Sequence, residues 1–153
     1  MTEKTTIGRT DKADFPELDL QDIDLKIDTG AYTSAIHCKD IETKEQDGKT
    51  VLTFKLLDDS HSQYDGKEFA TEHFKEKSIK SSNGSSEERY VVQTDIRLFG
   101  VTYPIQLSLS DRGEMRFPIL IGRRFLKGKF IVDAARRNLS HKKKLATAKK
   151  QAK

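Results

Sequence analysis

The sequence predicts a mostly β, single-domain protein with one short helix near its C-terminal end. Six stretches rich in β-branched residues, or alternating between polar and apolar residues, are typical of strands: 23–27, 50–57, 90–100, 101–110, 117–122 and 129–133. Asn83-Gly84 and Phe99-Gly100 have the residue types of tight hairpin turns, and they predict an antiparallel meander. The helix is expected to begin at Arg123 and to end before Gly128.

Composition supports one domain followed by a basic tail. A chain of 153 residues that is 35% hydrophobic can form one modest core. Residues 136–153 hold eight lysines and arginines and no acidic residue, so residues 1–135 carry 28 − 8 = 20 basic residues against 24 acidic ones. We expect residues 1–135 to fold and residues 136–153 to be a disordered tail. This division argues against specific nucleic-acid recognition, although the tail permits nonspecific contact with nucleic acid.

Localisation signals are lacking in the sequence as given. No apolar run has transmembrane length, and the N-terminal stretch MTEKTTIGRTDKADF has no secretory pattern. The single cysteine, Cys38, cannot form an internal disulfide, which agrees with a reducing compartment. We therefore expect a cytoplasmic protein without a membrane segment.

Two motifs carry the chemistry. Asp28-Thr29-Gly30 follows the apolar strand IDLKI directly, so a carboxylate lies where a strand stops and glycine permits a sharp turn. About ninety residues later, Ile119-Leu120-Ile121-Gly122 closes an apolar run on a second glycine. An Asp-Thr-Gly tripeptide alone is also an ordinary turn former, so the pair of motifs matters more than either one.

The pair resembles the retropepsin-like aspartic peptidases, whose active-site loop reads Asp-Thr-Gly and whose later aliphatic strand ends in Gly beside that loop. The segments IDTGAYTSAIHC, KSSNGSSEERYVVQTDI, LSLSDRGEMRFPILIGRRFL and FIVD are similar to a bacterial family named ATP-dependent zinc proteases and associated with RimK-type ATP-grasp glutamate ligases. The likeness covers roughly residues 7 to 133. It implies the acid-protease fold, a closed β-barrel, and an aspartic endopeptidase activity.

This chemistry needs two carboxylates that share a proton around a bound water. The sequence contains no second Asp-Thr-Gly: Asp111-Arg112-Gly113 lacks the hydroxyl residue, and Asp133-Ala134-Ala135 lacks the glycine. One chain therefore holds half a site. The simplest completion is a homodimer with two-fold symmetry in which Asp28 meets its symmetry mate, as the resemblance also implies.

The resemblance assigns roles by matching positions. Asp28 is the dyad carboxylate, Thr29 links the two loops, Gly30 permits close approach of substrate or partner, and Ala31 continues the loop beside the substrate. The Asn83-Gly84 turn corresponds to a substrate-covering flap, for which an ordinary exposed hairpin is an equally good interpretation.

Several arginines near these motifs suit the recognition of carboxylates. Arg89 and Arg116 are candidates for binding acidic side chains or a C-terminal carboxylate, although both are also interpretable as surface charges. Arg123 and Arg124 fit a dimer-interface or solvated ion pair better than a substrate contact.

We expect no metal and no cofactor. The possible zinc ligands besides carboxylates are His37, His61, His73, His141 and Cys38, and they form no HExxH or CxxC motif. His37 and Cys38 are adjacent, so on a strand they point to opposite faces. The chain has no phosphate-binding GxxxxGK[ST] loop, so ATP would belong to a partner ligase.

Three functions remain open from sequence. The first is an aspartic endopeptidase acting on peptide or protein substrates, possibly glutamate-rich ones linked to a ligase. The second is a dimeric β-barrel that binds peptides without cleaving them. The third is a ribosome- or RNA-associated accessory protein that uses the basic tail.

Overall fold

The computed structural model describes residues 3–80, 84–111 and 117–151. Its elements, in chain order, are β1 (Thr5–Ile7), β2 (Thr10–Phe15), a 3₁₀ turn (Pro16–Leu18), β3 (Leu20–Ile27), β4 (Ser34–Gln46), β5 (Lys49–Leu56), β6 (Glu68–Thr71), β7 (Lys75–Lys80), β8 (Ser86–Leu98), β9 (Val101–Ser110), β10 (Ile119–Ile121), α1 (Arg123–Leu126), β11 (Phe130–Val132) and α2 (Leu139–Gln151). The described part of the chain contains no helix that is long and apolar enough to span a membrane.

Nine of the strands form one sheet. Its pairing order is β10-β3-β2-β8-β9-β4-β5-β6, with β7 paired to β8. Because β10 also pairs with β4, the path of paired strands that starts at β10 returns to β10. The β2–β8 step is the narrowest link in this path, with the single register pair Asp14 and Arg97. A separate two-stranded sheet pairs β1 with β11 in parallel.

The mostly β fold class and the short helix are confirmed. Each of the six predicted strands overlaps an observed one, and α1 occupies Arg123–Leu126. Phe99 and Gly100 form the predicted hairpin, with φ angles of 54° and 75° between β8 and β9. Asp47-Gly48 makes an equivalent turn between β4 and β5 that we did not predict, although this dipeptide is a strong hairpin signal.

The buried core includes residues from β3 and β10. Residues of β3 alternate between buried and exposed along most of the strand, as expected of a strand with one face in a core. Ile23 and Leu25 of β3 are fully buried, as are Ile119 and Ile121 of β10. The apolar run around β10 therefore reflects a strand inside the core.

The chain after residue 135 differs from the disordered tail that the sequence predicts. Gly8 allows residue 136 to pass close by, since a Cβ at Gly8 would lie 2.3 Å from the Arg136 carbonyl oxygen. The Arg9 N–H donates to that carbonyl at 2.8 Å, and the Asn138 N–H donates to the Thr10 carbonyl at 2.9 Å. Main-chain hydrogen bonds thus hold residues 136–138 against β2 and the residues before it.

Helix α2 follows this segment and is anchored by carboxylates from other elements. The side chain of Asp11, 1% exposed, accepts hydrogen bonds from the N–H groups of Ser140 at 2.9 Å and His141 at 3.1 Å. A carboxylate at this position satisfies free N–H groups in the first turn and interacts favourably with the helix dipole. Lys144 Nζ lies 2.9 Å from an Asp14 oxygen and 2.7 Å from an Asp22 oxygen. These carboxylates are distant from α2 in the chain, so the sequence around α2 does not reveal them.

Candidate active site

Asp28 lies immediately after β3, in a tight turn. Its N–H donates to the Ile121 carbonyl oxygen at 2.9 Å, which ties the loop to β10. Its Oδ1 accepts a hydrogen bond from the Gly30 N–H at 3.0 Å, and its carbonyl accepts one from the Ala31 N–H at 3.1 Å. Asp28 is half-buried, whereas Thr29 and Gly30 are exposed. The loop therefore presents one carboxylate at the protein surface in a fixed orientation.

Strand β10 fixes the two sides of this loop. It pairs in parallel with β3, with Ile121 opposite Ile27, and antiparallel with β4, with Leu120 opposite Ala35. The chain leaves β3, passes through the Asp28 loop and enters β4, so β10 lies between the strands that precede and follow the loop. The predicted proximity of the two motifs is confirmed by this pairing.

Gly122 explains why the second motif ends in glycine. A Cβ at this position would lie 2.7 Å from the Tyr32 carbonyl oxygen and 2.9 Å from that of Ala31, distances that side-chain carbons do not tolerate. The Gly122 N–H donates to Ser34 Oγ at 3.0 Å. The next residue, Arg123, donates its N–H to the Ala31 carbonyl at 2.8 Å. Gly122 thus lets α1 begin directly against residues 31 and 32 of the loop.

Arg123 contacts the loop with its side chain as well. Its guanidinium donates to the Thr29 carbonyl oxygen at 2.9 Å and lies over the Tyr32 ring at 5.9 Å from the centroid. Arg123 is exposed and also bonds to the chain's own loop, and the interface or solvent role expected from sequence stays a prediction. The proximity of Arg123 to Thr29 could not be read from residues that are 94 positions apart.

Asp28 has no cationic partner in the described part of the chain. None of the ion pairs found among those residues involves it. A half-buried, unpaired carboxylate whose loop is held by main-chain hydrogen bonds is suited to acting on a bound molecule, and it contributes little to holding the fold together.

The remaining predicted site residues are less closely grouped. Asn83 and Arg116 lie outside the described residues. Gly84 is exposed, with φ of 87°, just before β8 in the β7–β8 hairpin. Arg89 donates to Glu87 within the same hairpin at 3.0 Å, and its Nε is buried without a hydrogen-bond partner among the described residues. The hairpin is confirmed, whereas its action as a flap remains a prediction.

A cleft of about 270 Å³ opens beside the loop. Its walls include polar and cationic side chains from four elements, the Asp28 loop and the turn after α1: Thr33, Ser34, Gln93, Gln106, Arg124 and Lys129. Lys77 Nζ lies 3.3 Å from Gln106 Oε1 at the same wall. The pKa of Lys77 is lowered from its ordinary value by partial burial, and further by the positive charges of Arg124 and Lys75. Sequence reasoning missed Lys77 and Gln106, because their meeting with Arg124 depends on the sheet order.

A buried contact between a histidine of β4 and a carboxylate lies outside the Asp28 loop. His37, 4% exposed, places Nε2 at 2.8 Å from Asp58 Oδ2 and Nδ1 at 3.2 Å from the Ser110 carbonyl oxygen. Hydrogen bonds from the Ser60 hydroxyl and N–H, and then from His37, lower the pKa of Asp58 to about 2. The main chain of His37 also accepts Leu57 N–H and donates to Pro118. This pair links the segment after β5 to the strand that flanks β10.

The histidines and the cysteine do not assemble a metal site in the described residues. No group of three or more His, Cys, Asp or Glu side chains there is placed to hold an ion. Both ring nitrogens of His37 face protein oxygens, and burial raises the pKa of the Cys38 thiol, which disfavours the thiolate that zinc binds. These residues therefore do not fit a zinc centre.

Relatives with assigned names share most of this chain. It is 33% identical over 132 residues to a probable alpha-L-glutamate ligase of Desulfotalea psychrophila (strain LSv54 / DSM 12343), a match that covers 86% of this chain and 28% of the relative. A probable alpha-L-glutamate ligase of Shewanella pealeana (strain ATCC 700345 / ANG-SQ1) is 33% identical over 130 residues, covering 85% and 28%. The chain thus spans little more than a quarter of the length of these curated relatives.

A solved structure has a similar fold. The crystal structure of the protein Lpg0085 from Legionella pneumophila superposes with a TM-score of 0.68 at 22% identity, covering 90% of this chain and 99% of that one. The sequence model of the family described as RimB-like, retropepsin-like aspartic endopeptidase RimB, matches residues 6–143. That range includes the Asp28 loop, β10 and the first turn of α2. The chain therefore belongs to the RimB-like family of retropepsin-like aspartic endopeptidases.

Proposed function

We propose that this protein is an aspartic endopeptidase whose active site combines Asp28 from two subunits of a homodimer. The observation that carries the proposal is the single, unpaired Asp28 carboxylate, held at the surface by β10, Gly122 and Arg123. An aspartic mechanism needs two such groups, and a two-fold axis through the loop supplies the second.

Each step uses residues of the two loops. One Asp28 is ionised and takes a proton from a water held between the carboxylates, and the water oxygen attacks the peptide carbonyl. The other Asp28 is protonated and donates its proton to the carbonyl oxygen, which gives a tetrahedral intermediate. The C–N bond then breaks as the first Asp28 passes the water proton to the leaving nitrogen, and the second Asp28 takes a hydroxyl proton back from the intermediate. Exposed Thr29 and Gly30 lie where the partner loop and substrate approach. Ala31, whose carbonyl accepts from Arg123, holds the next part of the loop in place.

The scaffold is proposed to be a closed β-barrel. The path of paired strands from β10 through β3, β2, β8, β9 and β4 back to β10 supports closure. Closure would hold the Asp28 loop rigidly, because both strands that flank it belong to the same ring. The β7–β8 hairpin, with Gly84 near its tip, is the element proposed to cover bound substrate.

We infer an acidic substrate from the cleft beside the loop. Arg124 and Lys129 line it, Lys77 is close by, and the amides of Gln93 and Gln106 add hydrogen-bonding groups. The pKa of Lys77 is lowered first by partial burial and further by the positive charges of Arg124 and Lys75, and a bound carboxylate would offset that repulsion. The relatives named as glutamate ligases contain a region like this chain within one polypeptide. Together these observations support a glutamate-rich substrate connected to a ligase.

The Asp28→Asn variant tests the catalytic role. Cleavage of glutamate-rich peptides, followed by mass spectrometry of the products, is expected to fall at least about 100-fold, the usual contribution of an acid–base group. Asp59→Asn is the matched control, because Asp59 is exposed and the substitution changes charge and shape identically. Equal activity in the Asp28 variant and the control would overturn the proposal. Peptide binding without cleavage in any form would favour the non-catalytic dimer.

Mixing subunits tests whether the site is shared. Wild-type and Asp28→Asn chains are refolded together in equal amounts, so that heterodimers form. If both carboxylates are required, activity falls to about one quarter of that of wild-type protein at the same total concentration, because only wild-type pairs act. A fall to about one half would show that each chain acts alone, which contradicts the shared site.

The Arg124→Gln and Lys77→Gln variants test the substrate class separately. Each is expected to lower kcat/KM for a glutamate-rich peptide by about tenfold, the magnitude of one desolvated charge pair, and to leave a glutamine-rich peptide of the same length unaffected. If both peptides are affected equally, the acidic-substrate inference fails while the peptidase itself stands.

A further inference from the structure

Helix α2 has one face against the domain and another toward solvent. Ser140 Oγ accepts a hydrogen bond from the Phe99 N–H in the turn between β8 and β9. Lys144 Nζ donates to the carboxylates of Asp14 on β2 and Asp22 on β3. Each residue advances about 100° around an α-helix, so Lys142 and Lys149 lie on the side opposite Lys144. Lys143 and Lys150 lie on one flank of the helix, where Lys143 also lines a cleft between α2 and the strands with Asp14 and Lys144. All four lysines are exposed. We call Lys142, Lys143, Lys149 and Lys150 the outer lysine face.

This face has no compensating negative charge in its own segment. Residues 136–153 contain no Asp or Glu. The ion pairs found between α2 and the rest of the described chain use Lys144 and His141, and none of them uses the outer lysine face. Exposed Arg136 and Arg137 extend the positive charge toward the start of the helix. Because Asp11 and Lys144 anchor α2, these charges are held in a fixed array.

The spacing of the array suits a polyanion. Lys142 and Lys149 are seven residues apart, as are Lys143 and Lys150, which separates each pair by about 10 Å along the helix axis. The four ammonium groups thus form two short parallel rows on one rigid surface. A regular anionic polymer can contact all of them at once.

We propose that the outer lysine face binds the phosphate backbone of a nucleic acid without reading its sequence. Lysine interacts with phosphate as a point charge, and backbone contacts of this kind carry no base information. The face offers no aromatic side chain for stacking on bases, and its one large apolar neighbour is half-exposed Leu145. A protein partner fits less well, because lysine is depleted and apolar anchors are enriched at protein–protein interfaces.

The test uses the full chain and fluorescence anisotropy with a 20-base-pair RNA and a DNA duplex of the same sequence. The outer-face variant carries Lys142→Gln, Lys143→Gln, Lys149→Gln and Lys150→Gln, since glutamine has a helix propensity close to that of lysine. Circular dichroism checks that α2 persists.

The control variant carries Lys39→Gln, Lys44→Gln, Lys49→Gln and Lys67→Gln. These are exposed lysines, each within 3.3–3.7 Å of a carboxylate on the strands or loops. Both variants change the formal net charge from +4 to 0, because each removes four positive charges. The pair therefore separates the arrangement of lysines on α2 from net charge alone.

With four phosphate contacts, the wild-type affinity for duplex is expected to fall about 100-fold between 50 and 200 mM salt. The outer-face variant should bind at least about tenfold more weakly at 50 mM salt and show a shallower salt dependence, whereas the control variant should resemble wild type. Similar losses in both variants would overturn the proposal in favour of net charge. Tighter binding of a polyglutamate peptide than of either duplex at this face would overturn it in favour of an acidic protein. The RNA and DNA arms identify which backbone is preferred.

Discussion

The Asp28 loop and the C-terminal segment are both held against the same nine-stranded sheet, but by different means. The loop is fixed by main-chain hydrogen bonds, one donated by Asp28 to the Ile121 carbonyl and one donated by Arg123 to the Ala31 carbonyl, and by close packing at Gly122. The C-terminal segment is fixed partly by main-chain bonds at residues 136–138, but α2 itself depends on the side chains of Asp11, Asp14 and Asp22. A site held by close main-chain contacts requires particular residues, such as Gly122, and these form a recognisable sequence motif. A helix held by carboxylates from separate strands leaves no such motif.

The largest expected effect comes from Gly122→Ala, which disrupts the close main-chain packing that holds the Asp28 loop. The new Cβ would lie 2.7 Å from the Tyr32 carbonyl oxygen, so the loop or α1 must move. Overpacking of this kind costs about 1–3 kcal/mol in the free energy of unfolding. Denaturant unfolding should show that loss, together with a fall in peptidase activity. Wild-type stability would contradict the close packing on which the loop's position depends.

Asp11→Ala removes the carboxylate that anchors α2. The free energy of unfolding is expected to fall by about 0.5–2 kcal/mol, as for the removal of a helix cap. Trypsin should then cleave α2 at its lysines faster than in wild type. Asp24→Ala is the control, because Asp24 forms an exposed pair with Lys12 at 2.6 Å and such pairs contribute little. Unchanged protection of α2 from trypsin in the Asp11 variant would show that this carboxylate does not anchor the helix.

Arg123→Gln sharpens the comparison by removing the side-chain hydrogen bond from Arg123 to the Thr29 carbonyl oxygen of the loop. The exposed guanidinium is worth less than about 1 kcal/mol to stability. Its loss should nevertheless lower kcat about tenfold with KM little changed, since misplacement of a catalytic group by about 1 Å is costly to the reaction. Arg97→Gln, an exposed arginine on β8, serves as the control. If stability falls while kcat is retained, Arg123 is a purely structural residue.

The smallest effect is expected only at acidic pH and concerns the hydrogen-bonded pair of His37 and Asp58. The pKa of Asp58 in the folded protein, about 2, lies below its ordinary value, so the ionised form stabilises the fold above about pH 4. That contribution is lost as the pH falls from about 4 toward 2. The thermal midpoint of Asp58→Asn should therefore vary less with pH over this window than that of wild type or of Asp59→Asn. Parallel curves for all three proteins would contradict the ionised, hydrogen-bonded Asp58.

Sequence reasoning was most effective where one residue type is demanded by the backbone. Asp28-Thr29-Gly30 and the aliphatic run that ends at Gly122 could be paired in advance, because glycine marks positions of tight turns and close approach. The six strands and α1 could be predicted from alternation and turn residues in the same way.

The sequence was least informative where a contact joins residues that are distant in the chain. Arg123 and Thr29 meet because β10 lies between β3 and β4, and Lys77 meets Arg124 and Gln106 through the sheet order. Strand β4 also escaped prediction, since its outer half, KDIETKEQ, is charged and mostly exposed. Helix α2 looked disordered because the carboxylates that pair with Lys144 lie on β2 and β3, far from it in the sequence.

The most direct test of the shared site is a crystal structure of the assembly that the protein forms in solution, with the separation of the two Asp28 carboxylates as the quantity measured. The dyad requires these groups to lie within hydrogen-bonding reach, about 3 Å, across a two-fold axis. That result would establish the arrangement from which cleavage follows. Carboxylates far apart in every assembly present in solution would contradict the shared active site.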